Sequence, residues 1–178
     1  MFNVGDVVVK AGLGICRIKA LQTLAVEGKE QDLYILQSGD VKVMIPCDKA
    51  HTGVLRPVMT IEQIEELESF LRSPFPLPGE YEKEDPEGYS VDNITAFDTV
   101  KHRNPKAVAD IIHKLFYKSK LVNLTQTEDK IYKEAMKVLS EEIAYVEHST
   151  RQKVGDRLIS VMMEGRHARK DTKFQHSV

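Results

Sequence analysis

Six bases crowd into one short stretch. Between Val100 and Lys120 stand Lys101, Arg103, Lys106, Lys114, Lys118 and Lys120 against a single acid, Asp110, with His102 and His113 in addition. A local charge of +5 suits a phosphate-bearing partner, because each phosphate neutralised releases counterions. About 3–5 such contacts would give weak, salt-dependent, sequence-independent binding. The same residues equally suit a solvated helix surface. Lys101 and Arg103 fall at a turn. Lys106, His113, Tyr117, Lys118 and Lys120 lie mostly off the apolar stripe of the helix that follows, or just beyond its end. Upstream, Glu80, Glu82, Glu84, Asp85 and Glu87 face only Lys83, so the net charge of −2 hides a segregation that matters for partners.

Catalytic sets are missing. The histidines, His51, His102, His113, His148, His167 and His176, show no pair at metal-ligand spacing. Glu141-Glu142 reads as a charged pair on a solvated helix face rather than a general acid and base. Gly12 and Gly14 do not make a phosphate loop: a third Gly and a Lys-Ser/Thr are absent, and a strand follows where a helix should. No Gly-x-Ser-x-Gly, Walker or Rossmann pattern occurs. Cys16 and Cys47 form no metal or redox motif and read as reduced thiols, with Cys16 in an apolar run. The expectation is a protein that is not an enzyme and carries no cofactor or metal.

A second kind of chemistry lies in the backbone. Lys42-Val43-Met44-Ile45-Pro46 reads as a short strand with Val43 and Ile45 on the core face and Lys42 and Met44 on the other. Pro46 has no N–H for a ladder, so it suits a strand end or a sheet edge. An edge with free backbone groups and an adaptable Met side chain is a docking strip for another protein. Alternatively, Met44 packs under a loop and Pro46 merely blunts the edge.

The elements that carry these residues change period partway along the 178-residue chain. Residues 2–57 read as β. Val7-Val8-Val9, Ile15-Cys16-Arg17-Ile18, Leu24-Ala25-Val26, Leu33-Tyr34-Ile35-Leu36 and residues 42–46 are strands, with turns at Glu27-Gly28-Lys29-Glu30 and Ser38-Gly39-Asp40. Four or five such strands suit a small, bent SH3- or Tudor-like barrel. Thr60 then opens a capping box with Gln63, and Ile61, Ile64, Leu67 and Leu71 recur at helical spacing. This helix can pack on either side. Ser73-Pro74-Phe75-Pro76-Leu77-Pro78-Gly79 stops it and, with the acidic run, makes an extended linker. Beyond Gly88 the pattern is helical. Ser90 caps a short helix with Val91, Ile94, Phe97 and Val100 on its stripe. Asn104-Pro105 starts a helix to about Tyr117, with Val108, Ile111, Ile112, Leu115 and Phe116 inward. Thr125 with Glu128 starts a long one, with Ile131, Ala135, Val138, Leu139, Ile143 and Val146 inward. A last helix spans about residues 151–164, carries Val154, Leu158, Val161 and Met162, and ends at Gly165. A basic tail follows, expected to fray. The fold class is therefore α+β multidomain: an N-terminal small barrel and a C-terminal all-α bundle. No apolar run approaches the ~20 residues needed to span a bilayer. Met1-Phe2-Asn3-Val4-Gly5-Asp6 has no signal-peptide character. A cytoplasmic location and no membrane partner are expected.

Phe2-x-Val4-Gly5-Asp6-x-Val8-Val9 with Gly12-x-Gly14, Gly28, Tyr34-x-Leu36, residues 42–46 and Gly53-Val54-Leu55-Arg56-Pro57-Val58 together resemble the CarD/CdnL family of bacterial transcription regulators. The same module resembles the polymerase-interacting domain of transcription-repair coupling factors, but the short CarD-like form fits better. Pro105-Lys106-Ala107-Val108-Ala109-Asp110-Ile111-Ile112, Leu124-Thr125-x-x-Glu128 and residues 139–147 fit the family's helical domain. The resemblance is strongest over residues 2–58.

That resemblance implies a transcription regulator, monomeric and nucleoid-associated through RNA polymerase. Its barrel would dock on the polymerase β subunit by strand addition. Its helical domain would meet double-stranded promoter DNA at the upstream edge of the bubble and modulate open-complex stability. Carried over, the docking residues are Ile35, Met44 and Pro46. The DNA-contacting candidates are Tyr89, Lys101, Arg103, Lys106 and Lys118. The family wedges a Trp into the minor groove, and this chain has none. Ungapped counting back from Pro105 puts Tyr89 there, followed by Ser90, Val91 and Asp92 rather than bases. Tyr89 is then either the wedge or a linker residue packing against Phe97 or the barrel. The implied organisation is a polymerase-interacting β domain with its following helix (1–72), an acidic linker (73–88), a DNA-facing helical domain (89–165) and a basic tail (166–178). The alternative is a protein–protein adaptor on polymerase without DNA contact.

Overall fold

The computed structural model describes residues 2–26, 28–74 and 89–175. The expected acidic linker lies outside the described residues from position 75 onward, as does the end of the tail. The chain divides into two compact units. One is Met1–Val58 with Lys101–Arg103, the other Met59–Val100 with Asn104–Val178.

The first unit is an open, barrel-like antiparallel sheet. Its strands are β1 (Val7–Lys10), β2 (Gly14–Val26), β3 (Lys29–Ser38), β4 (Val41–Pro46) and β5 (Leu55–Pro57), in the order β4-β3-β2-β1-β5. The two runs read separately at 15–18 and 24–26 are one long strand. Its register against β3 shifts between Ile18 and Ala20. That bulge bends β2, which lets a single strand serve both parts of a curved sheet. Gly39 takes φ +55 in the two-residue connection between β3 and β4, a backbone setting that favours Gly. Val8, Cys16, Ile18, Tyr34, Leu36, Ile45, Ala50 and Leu55 form the core, with Val43 packed against it. The Tyr34 hydroxyl accepts from the Phe2 N–H at 3.3 Å and donates to the Phe2 carbonyl at 3.1 Å, tying down the first residues. Burial pushes the Cys16 thiol above its ordinary range. A short turn, α1 (Cys47–Lys49), leads from β4 through a helical turn at Ala50–Val54 into β5.

The second unit is built of α2 (Ile61–Arg72), α3 (Asn93–His102) up to Val100, α4 (Pro105–Ser119), α5 (Gln126–Val146) and α6 (Arg151–Gln175). The capping boxes at Thr60 and Thr125 and the Asn104 cap with Pro at the first helical position are present. Ile64, Leu67 and Leu71 of α2 join the helical core with Leu115, Ile131, Leu139, Ile143 and Leu158. Arg157 of α6 ties α2 to the end of α5, with Glu68 at 2.8 Å and Glu147 at 2.7 Å. The Glu147 hydrogen bond, helped by Glu68 and against a smaller effect of burial, raises the Arg157 pKa. Among the described residues no helix is long and apolar enough to cross a membrane.

Three readings of the helices are corrected. First, Asp92 caps α3 in place of Ser90, accepting from the Thr95 N–H at 2.8 Å, a bond that holds its carboxyl below the ordinary range. The buried face of α3 is Ala96 and Val100, while Ile94 and Phe97 are exposed. Second, Glu142 is buried rather than solvated, and its Oε1 accepts the Met59 N–H at 2.9 Å. Third, α6 does not stop at Gly165. Here Gly serves close approach rather than termination: a Cβ at Gly165 would collide with the backbone carbonyl of Arg72 at the end of α2. Arg72 and Glu164 pair beside that contact at 3.1 Å.

In a solvated helix, Gly→Ala would stabilise by about 1 kcal/mol. At Gly165 the collision reverses the sign, and Gly165→Ala is expected to destabilise by about 1–3 kcal/mol. Denaturant unfolding of the two proteins measures it. A stabilised variant would contradict the packing of α2 on α6.

Candidate functional site

Among the described residues β4 is an edge strand, hydrogen-bonded to β3 alone. Its alternation is set by what Ile45 and Val43 bury. Ile45 is 5% exposed and Met44, pointing the other way, is 57% exposed. The register places Met44 opposite Ile35, Pro46 opposite Leu33 and Lys42 opposite Gln37. Ala20 of β2 lies across from Ile35 on the same outward row, and Leu24 lies four pairs further along, opposite Gln31. The edge therefore carries an outward apolar strip of Met44, Ile35, Ala20 and Pro46, with Lys42 at one side. Ile35 and Pro46 are half-buried, so Met44 stands highest.

Reading residues 15–18 and 24–26 separately leaves out Ala20 and leaves the direction of Leu24 unset. The bulge after Ile18 changes which side the following residues face, and Leu24 ends outward and 40% exposed. No local alternation marks that face, because Leu21 and Leu24 are both apolar and fall at opposite parity. Cys47 lies just past the strip. Burial, with Asp32 adding to it, pushes its thiol up, so it is not an activated nucleophile.

The basic candidates are divided between the two units, Lys106 and Lys118 falling in the second. Lys101 and Arg103 belong to the first unit. The Lys101 carbonyl accepts from the Gly12 N–H at 2.8 Å, and its side chain is exposed. Arg103 sits at φ +57, an unfavourable backbone setting for a side-chain-bearing residue. Its carbonyl is held by the Arg56 guanidinium, with Nε at 2.9 Å, and its own guanidinium lies close against Gly14. Lys106 is exposed in the first turn of α4.

Two candidates are corrected. Lys118 is not a free cation: its Nζ lies 2.7 Å from Glu128, with side chains 14% and 6% exposed, and reaches Ser90 Oγ at 3.2 Å. Burial alone would push Glu128 up. The bonds from Lys118 and Thr125 outweigh it and hold the carboxyl below its ordinary range. Tyr89 is 1% exposed, its ring stacked on Tyr117 at 6.0 Å, so it lies in the protein's own core here and not at a semi-exposed helix start. His113 and Tyr117 are likewise core residues, not members of a polar face. The reason is that α4 is covered on several sides, by α2 and α5, and a helix so placed buries far more than one stripe. Lys114 is engaged by Asp110 at 2.8 Å.

An open, barrel-like sheet with an exposed edge strand offers a surface for a protein partner. Two comparisons with known families give the kind of protein. The sequence model of the CarD-like/TRCF RID domain matches residues 2–59, and that of the CarD C-terminal domain matches residues 96–159. The chain belongs to the CarD-like family. Its two domains are those of a transcription regulator that interacts with RNA polymerase, a family of regulators rather than enzymes.

Removing one partner of a buried ion pair leaves the other uncompensated, at a cost of about 3 kcal/mol or more. Lys118→Met is therefore expected to lower the unfolding free energy by about 3 kcal/mol, and Lys106→Met to change it by less than about 0.5 kcal/mol. Urea unfolding of both checks this. Equal, small effects would return Lys118 to the surface. Because Glu128 is depressed, the pair's stabilisation is present above the unfolded carboxylate range and is lost as pH falls through the lower folded value.

Proposed function

We propose that this protein docks on the β subunit of RNA polymerase by adding β4 to a sheet of that subunit. Met44, Ile35 and Pro46 supply the side-chain contacts. The observation that carries this is the unpaired β4 edge with Met44 raised beside it in register with Ile35. Strand addition takes its affinity from main-chain hydrogen bonds and its selectivity from alternate side chains, and β4 offers both. Leu24 and Ala20 extend the contact across the outer face.

From that mount the protein contacts promoter DNA near the upstream edge of the bubble and modulates open-complex stability, working in the cytoplasm as a monomer. Lys101 and Lys106, both exposed, are the phosphate contacts that support this. With so few bases available, the DNA term is weak and steeply salt-dependent. A second reading, an adaptor on polymerase without DNA contact, is favoured by the burial of Tyr89 and the pairing of Lys118 with Glu128.

Met44→Ala is expected to weaken binding to the isolated β subunit about tenfold, by ~1–2 kcal/mol, with the barrel still folded. Calorimetry on the two proteins measures it, and unchanged affinity would make the strip purely structural. Open-complex half-life in the presence of competitor DNA separates the two readings. Lys101→Glu with Lys106→Glu shortens it at low salt if DNA is touched and leaves it unchanged if the protein is an adaptor.

A further inference from the structure

His113 has no part in docking or DNA contact, yet it is wholly buried in the helical unit. Its ring lies between two others: Phe70, from the last turn of α2, at 5.1 Å, and Tyr117, one turn on in α4, at 5.0 Å, both edge-on. Ser73, whose backbone N–H bonds back to Ser69 and Phe70, closes α2 just past the Phe70 ring. One imidazole thus joins α4 to the end of α2. The same end is held from the other side by Gly165 and the Arg72–Glu164 pair of α6.

We propose that His113 is an acid-sensitive staple: neutral, it holds the last turn of α2 on α4, and protonated, it lets that turn go. Among the described residues, the charged groups on the elements around His113 are engaged elsewhere. On α4, Asp110 lies one turn away and is already engaged by Lys114 at 2.8 Å. On α2 and α6, Arg72 and Glu164 are paired with each other at 3.1 Å and are more than half exposed. The buried carboxylates of α5 serve Lys118 and the Met59 N–H. Burial accordingly lowers the His113 pKa, and the Ser73 backbone and Asp110 pull the other way without overcoming it. The sign follows: a His depressed in the folded state contributes fully above its unfolded value of about 6.5, and its contribution is lost as pH falls from there toward the lower folded value.

Hydrogen exchange on the full chain, corrected for the intrinsic pH dependence of the amides, tests the proposal at residues 70–73. In the native protein, opening of this turn is expected to rise up to about tenfold per pH unit below about pH 6.5. In His113→Phe, which keeps a ring and loses the proton site, it stays flat. If that variant does not fold, His113→Gln, neutral at every pH, takes its place. Glu164→Gln keeps the native slope, which separates the staple from the surface pair. The same acid dependence in native protein and His113 variant overturns the proposal, and so does a His113 ring that titrates at an ordinary value in the folded chain.

Discussion

Among the described residues β4 has one hydrogen-bonded neighbour, and the first unit is arranged around that fact. A sheet of five strands that does not close must end somewhere, and an open end exposes a row of backbone donors and acceptors. The two-residue turn at Gly39 brings β4 back along β3, Ile45 fixes which way the strand faces, and Pro46 limits its length. Given those three, Met44 has nowhere to point but outward. The long bulged strand β2 then backs the edge, so that Ile35 and Ala20 meet Met44 on one row. Nothing in this arrangement relies on an unusual residue. It relies on parity, and a slip of one residue would exchange Met44 for Ile45.

The helical unit works under a different constraint. Its core receives polar and charged groups that must be satisfied where they lie. Glu142 accepts from Met59, Glu128 closes the cap of α5 and takes Lys118, and Arg157 binds two carboxylates at once. Such assignments remove side chains from the set available to a partner. Of the clustered bases, those left exposed are fewer than the local charge suggests, which is why the DNA term carries less of the proposed function than docking does.

Much of this is legible in the residues. Period-two alternation at Val43 and Ile45 fixes the faces of β4, and the capping boxes at Thr60 and Thr125 place two helix starts, because these signals act within a few residues. The illegible parts depend on distant neighbours. Gly165 has the local look of a helix stop, yet the carbonyl of Arg72, far off in sequence, is what excludes a side chain there. Lys118 looks solvated until Glu128 is packed beside it. Tyr89 follows an acidic stretch and looks like a semi-exposed ring, but Tyr117 covers it. The side to which α2 belongs is set by the fit of Leu67 and Leu71 into the helical core, and no local pattern encodes that.

The central claim is that the edge of β4 is where polymerase is met. Hydrogen exchange of the full chain, alone and saturated with the isolated polymerase β subunit, tests it residue by residue. If β4 is extended by a partner strand, the amides of Val41–Pro46 that face away from β3 become protected on binding, while those of α5 keep their rates. Protection confined to the helices, with β4 exchanging as it does in the free protein, would contradict the account.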